Sequence, residues 1–164
     1  MQMLVGLYIE DEPKNVTIMK GRFSLYQGIN LIGLDSYPRT LNGFYDIVID
    51  HNVDFLLVDH ELDKALVDYK GIDVLREVRK HDSHIYAVLL TNYNLDDYRD
   101  ELGEYDFQLN KEELSKPEKM KELVAKIKRG CGLRQDNALL LSMDEKQNEL
   151  QNLLWQMRTA LKKD

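Results

Sequence analysis

The 164 residues include one cysteine, three prolines and one tryptophan, and no apolar run approaches the length of a membrane span. With Cys131 alone, neither an intrachain disulfide nor a thiolate metal cluster can form, which fits a reducing compartment. The apolar start, Met1 to Ile9, is too short for a secretion signal, has no basic lead, and runs straight into Glu10, Asp11 and Glu12. These absences point to a cytoplasmic protein. Positive charge is also scarce, with 22 Lys and Arg against 29 Asp and Glu for a net charge of -7. Residues 131 to 164 hold five of each sign, so the excess acid, 24 against 17, lies within residues 1 to 130. Such a surface repels phosphate backbones, so we expect protein partners, with no direct nucleic acid and no membrane. No internal repeat, low-complexity segment, glycine-rich phosphate loop or serine elbow is present. His51, His60, His81 and His84 are spaced for neither a metalloprotease helix nor a zinc site and read as solvated turn or helix-end residues.

What is present is an alternation of short apolar runs with amphipathic segments. Met3 to Ile9 reads as a strand that ends in three carboxylates and Pro13, the residue favoured in a helix's first turn. The next segment, a helix, carries Val16, Met19, Phe23 and Tyr26 on one face and stops near Gly28. Ile29 to Leu34 is a second strand, and Thr40 is the expected N-cap of a helix that turns Leu41, Phe44 and Val48 inward. Val53 to Asp59 is a third strand, apolar throughout from Phe55 to Val58, as in a parallel sheet covered on both faces. Gly71 precedes a helix that buries Ile72, Leu75 and Val78, with Arg79 and Lys80 pointing outward. Ile85 to Leu90 is a fourth strand ending at Thr91, and Asn94 caps a short helix through Leu102. Asp106 to Asn110 is a weaker fifth strand that delivers Lys111. Ser115 and Glu118 form a capping-box signature for a helix to about Arg129, with Gly130 and Gly132 expected to break it.

Strand and helix in alternation imply a parallel sheet with right-handed crossovers, whose site lies beyond the carboxyl ends of the strands. Glu10, Asp11, Asp59, Thr91 and Lys111 then share one edge. An isolated Val-Asp-His also ends a strand as mere turn residues; the polar groups at the other strand exits favour chemistry. Ionised carboxylates crowded at Glu10, Asp11 and Asp59 need a cation to offset them. Mg2+ suits Asp11 and Asp59 because it takes one or two carboxylates, keeps several waters and accepts phosphate oxygens; Mn2+ is the alternative. Asp59 has the chemistry of a nucleophile toward a phosphoryl group, with Lys111 and the Thr91 hydroxyl available to its oxygens.

The corner Glu10-Asp11-Glu12-Pro13, the strand FLLVD ending at Asp59, Gly71 before the third helix, AVLLT ending at Thr91, and Lys111 after strand five occur in the order found in receiver domains of two-component response regulators. From about Met3 to Arg129 the chain resembles that family. The resemblance implies an α/β flavodoxin-like fold, a five-stranded parallel sheet of order 2-1-3-4-5 flanked by helices. It implies that Asp59 is the phosphoacceptor, that Asp11 binds Mg2+ directly, and that Glu10 acts mainly through water. The backbone carbonyl of Glu61 completes the protein ligands, and Thr91 and Lys111 hold the phosphoryl group. A histidine kinase or phosphotransfer protein is the implied donor, and the surface from Asn94 to Arg129 the implied output. On this reading the chain is a signalling protein rather than an enzyme. Glu10 stands where the family usually has aspartate, Glu112 where it has proline and Gln108 where it often has an aromatic, and the loop after Asp59 is about four residues longer than usual. Glu61 and Tyr93 fall where the family tunes loss of the phosphoryl group. Two alternatives keep parts of this pattern: a pseudo-receiver that signals without phosphate, and a haloacid-dehalogenase-like phosphatase. The second expects an aspartate two residues after Asp59, where Glu61 stands.

The receiver-like part is expected to span residues 1 to 130, and residues 131 to 164 differ in kind. Leu140, Met143, Gln147, Leu150, Leu154, Met157 and Leu161 recur at alternating steps of three and four, a heptad seam interrupted only by Gln147. The segment reads as one long helix that dimerises as a coiled coil, connects to a downstream protein target, or packs back on the domain.

Overall fold

A computed structural model describes residues 3–62, 65–92 and 105–162. Its elements are β1 (Leu4–Ile9), α1 (Pro13–Phe23), β2 (Ile29–Gly33), α2 (Gly43–Asp50), β3 (Phe55–Asp59), α3 (Gly71–His81), β4 (Tyr86–Thr91), β5 (Phe107–Asn110), a 3-10 helix (Lys111–Ser115) and α4 (Pro117–Leu161). The five strands form one parallel sheet in the order β2-β1-β3-β4-β5, as the resemblance implies. Asn94 to Leu102, expected to form a helix, and Tyr93 lie outside the described residues.

The side-chain period of two divides each buried strand between two cores. Phe55 and Leu57 of β3 join Tyr8, Val88 and Leu90 on one face, covered by Met19 and Phe23 of α1 and by Leu123, Val124 and Ile127 of α4. Leu56 and Val58 join Leu7, Ile9 and Leu89 on the other, covered by Phe44 and Val48 of α2 and by Ile72, Leu75 and Val78 of α3. All five residues of β3 are buried, which is why the strand lacks polar alternation.

Several local expectations are corrected. Thr40 does not cap α2; the helix begins three residues later, after Asn42. Ser115 closes the 3-10 helix, its hydroxyl donating to the Glu112 carbonyl at 2.9 Å, and α4 starts afresh at Pro117. Most consequentially, Gly130 and Gly132 do not break α4, which runs unbroken to Leu161. Each glycine costs a helix only about 1 kcal/mol, and Gly130 lies where a Cβ would enter the Tyr86 ring, so close packing on β4 offsets the lost propensity. The chain divides into two compact units, Met1–Cys131 and Gly132–Asp164. The described apolar side chains of the second unit, among them Met143, Leu150, Leu154 and Trp155, are exposed.

Candidate functional site

Each sheet strand stops at the same edge, and the residues at or just past the ends of β1, β3, β4 and β5 converge there. Glu10, Asp59 and Thr91 are 2%, 4% and 1% exposed, so three polar side chains are buried where the apolar strands end. Carboxylate oxygens of Glu10, Asp11 and Asp59 lie within 4.8 Å of one another. Thr91 is placed by pairing with Asn110 on β5, and Asp59 by pairing with Leu90 on β4.

Lys111 closes the site from the far end of the sheet. Its ammonium lies 3.0 Å from Oδ2 of Asp59 and also donates to Oε2 of Glu10. Burial alone would favour loss of its proton, but the hydrogen bonds and charges of Glu10 and Asp59 outweigh this and hold its pKa above the ordinary lysine value. Asn110 aims this lysine: its side chain accepts from the Glu112 N–H at 3.0 Å and caps the 3-10 helix that Lys111 opens. The Lys111–Glu112 peptide is trans, with no cis bond among the described residues.

Glu10 gathers several partners. Besides Lys111, its carboxylate accepts from the Tyr8 hydroxyl at 3.2 Å and from the Glu12 N–H at 3.1 Å. Burial, reinforced by the charges of Glu10 and Asp59, raises the Tyr8 pKa well above its ordinary value, so the hydroxyl remains a neutral donor. The extra methylene of glutamate lets this side chain reach Lys111 while still lying beside Asp11 and Asp59.

Gly71 brings α3 against the exit of β3. A Cβ at this position would collide with the Asp59 carbonyl, and the Gly71 N–H donates to the His60 carbonyl at 3.0 Å. His60 is therefore not a solvated turn residue: it is buried, its own N–H donating to the Leu90 carbonyl. His51, His81 and His84 are exposed as expected. The long connection from Asp59 to Gly71 is anchored by Leu62, which is buried, and by Tyr69, whose hydroxyl donates to the Pro38 carbonyl at 2.6 Å. Tyr69 packs edge-on against Phe44, which meets Tyr37 in the same way. Tyr37 in turn lines a cleft of about 550 Å³ beside Glu10 and Asp11, with Lys20, Asp35 and Ala65 among its walls. Glu61 is half-buried at the start of this connection.

Among the described residues the site gathers three carboxylates around the Lys111 ammonium, so acid outnumbers base there. Oxygen donors at this spacing with that balance fit a hard divalent cation, which usually takes one or two carboxylates and fills its shell with water and phosphate.

No family model matches the chain, and no curated protein matches it. Solved structures do. Response regulator protein TrrA from Thermotoga maritima, solved in complex with Mg(2+)-BeF, is 23% identical over 76% of this chain and 99% of its own, with a TM-score of 0.60. The signal receiver domain of a putative Luxo repressor protein from Vibrio parahaemolyticus is 16% identical over 81% of this chain and 95% of its own, with a TM-score of 0.64. The receiver domain of the Francisella response regulator 1452 is 17% identical over 80% and 98%, with a TM-score of 0.60. The chain has the receiver fold.

Within that receiver fold, four interactions went unread in the sequence: the Tyr8 hydroxyl on Glu10, the Asn110 cap, the Tyr69 anchor, and the engagement of Arg79. Asn110 alone carried a local signal, a cap residue before Lys-Glu-Glu. Arg79 does not point outward but turns under the sheet edge, donating to the Ile85 carbonyl at 3.0 Å and to Asp106 at 2.7 Å. Gln108, at the position where receivers often carry an aromatic, accepts from the Tyr105 hydroxyl at 2.7 Å.

Proposed function

We propose that the protein is a phosphoacceptor receiver of a two-component or phosphorelay system, taking a phosphoryl group on Asp59. The observation that carries this reading is the meeting of Lys111 with Asp59 beside the carboxylates of Glu10 and Asp11. An oxygen of Asp59 attacks phosphorus, forming the acyl phosphate as the bond to the donor breaks and its electron pair leaves with the donor. Lys111 stays protonated and offsets charge on the transferred oxygens, and the Thr91 hydroxyl supplies a hydrogen bond. Asp11 and Asp59, with the Glu61 carbonyl, would hold Mg2+ or Mn2+, and Glu10 would act through water. The cation supplies positive charge to the phosphoryl oxygens when bound.

The donor is then a histidine kinase or phosphotransfer protein, and the output runs through the surface from Asn94 to Arg129 to a protein target. We regard the chain as a cytoplasmic signalling protein whose only chemistry is on its own aspartate; none of its described helices is long and apolar enough to cross a membrane. The test is incubation with a small-molecule phosphodonor and Mg2+, read by intact mass. A phosphoryl increment in wild type that is absent in Asp59→Asn is expected. An unmodified wild type would favour a phosphate-independent receiver, in which Lys111 acts as a permanent clamp between Glu10 and Asp59.

A further inference from the structure

The second unit carries an apolar stripe that its own helix cannot bury. Met143, Leu150, Leu154, Met157 and Leu161 are each at least 45% exposed, and they recur at the three-four spacing of a heptad seam. With Met143 at position d, Gln147, Leu154 and Leu161 fall at a, and Leu150 and Met157 at d. Leu153 falls at g, while Gln151 and Arg158 fall at e. A strict a/d seam has no use for an exposed leucine at g, so the arrangement of the partner must account for Leu153.

Charge indicates the partner's direction. From position 143 to 151 the sequence has Asp144, Glu145 and Glu149 against Lys146, whereas from 152 to 162 it has Arg158 and Lys162 and no acid. A second copy lying parallel would set like charge on like, and would set Leu153 at g against Arg158 at e. A second copy lying antiparallel lays the acidic half of each helix along the basic half of the other and opposes the two helix dipoles.

We propose that this segment pairs with a second copy of the same chain as an antiparallel two-helix coiled coil whose dyad lies near residue 152. In this register Leu150 layers with Leu154 of the other copy, Met143 with Leu161 and Gln147 with Met157. Across the dyad Leu153 meets Leu153 and Gln151 meets Gln151, and position 144, an aspartate, comes level with Arg158. Leu153 is thereby buried and the seam closes on itself, as a two-fold interface requires. The inference stands apart from the reading of Asp59 and holds whether or not that residue takes phosphate.

Sedimentation of the full chain over a range of concentrations tests the pairing, with a reversible dimer expected. Leu150→Asp combined with Leu154→Asp should weaken it by at least about tenfold, the least that burying charges in two apolar layers would cost. Far-ultraviolet circular dichroism checks that these exposed-face variants keep the fold. Orientation is read by mild oxidation of variants that each add one cysteine, against wild type, whose Cys131 is buried. Leu153→Cys should form a disulfide-linked dimer and Leu150→Cys should not. Linkage of Leu150→Cys instead, as in a parallel pair with Gln147 facing itself, would overturn the proposal. So would a monomer at all concentrations, or a dimer indifferent to the two aspartates.

Discussion

The Lys111 ammonium lies 3.0 Å from a carboxylate oxygen of Asp59, although 52 positions separate the two residues in the chain. The contact exists because β3, β4 and β5 run parallel and in register, so the first residue past β5 is delivered to the end of β3. Lys111 is also a cation beside Glu10, and its removal leaves the buried carboxylates of Glu10 and Asp59 without that charge.

This predicts a defined pH signature. The folded pKa of Lys111 is raised, so its contribution to stability is complete below the unfolded lysine value of about 10.4 and is lost as pH rises through the higher folded value. The gap in thermal midpoint between wild type and Lys111→Met should therefore hold steady from about pH 7 to 10 and narrow above that. Differential scanning calorimetry across this range checks it, and a gap that closes between about pH 7 and 9, where carboxylates and lysine are both charged, would contradict the pairing.

Gly71→Ala should damage the site from a distance. The new methyl meets the Asp59 carbonyl, so either α3 withdraws or the end of β3 moves. The expected loss is about 1–3 kcal/mol by urea denaturation, together with, on the proposed function, slower phosphoryl uptake on Asp59. The size of the first effect measures the clash, and the second measures how far it reaches the carboxylate.

Asp106 holds two donors at once, the Arg79 guanidinium at 2.7 Å and the Ala87 N–H at 2.9 Å. Asp106→Ala should cost about 1–2 kcal/mol, since one strand donor loses its side-chain acceptor and a largely covered arginine loses one of its acceptors. Asp106→Asn keeps an oxygen for Ala87 and should lose less. Equal losses in equilibrium unfolding would assign the whole effect to the charge pair.

Gly130 and Gly132, both within α4, should respond in opposite directions to the same change. Gly132→Ala meets nothing within 4 Å and should stabilise α4 by about 0.5–1 kcal/mol through helix propensity. Gly130→Ala should lower stability instead, because its methyl enters the Tyr86 ring. Helicity followed through thermal melting separates the two.

Much of this architecture could be read from sequence because the relevant signals are local. The fully apolar run of β3, the acidic corner before Pro13 and the apolar period of α3 each reflect a few neighbouring residues. Their order matched the sheet that formed. Gly71 was visible as a residue, but its reason was not, since the Asp59 carbonyl it admits is brought near only by the crossover. For His60 and Arg79 polarity is a poor guide to exposure: His60 is buried, with backbone pairs to Leu90 and Gly71, and Arg79 is half-buried, held by a carboxylate 27 positions away.

The sequence by itself determined the alternation of strand and helix, the acidic cluster at the strand exits and the heptad period of the C-terminal segment, because each arises from spacing along the chain. Only the tertiary structure decided that Glu10 shares Lys111 with Asp59, that Tyr8 and Asn110 orient those groups, and that α4 passes through its glycines. Those outcomes depend on which side chains parallel strands and packed helices bring within a few ångströms, a distance that separation along the chain does not encode.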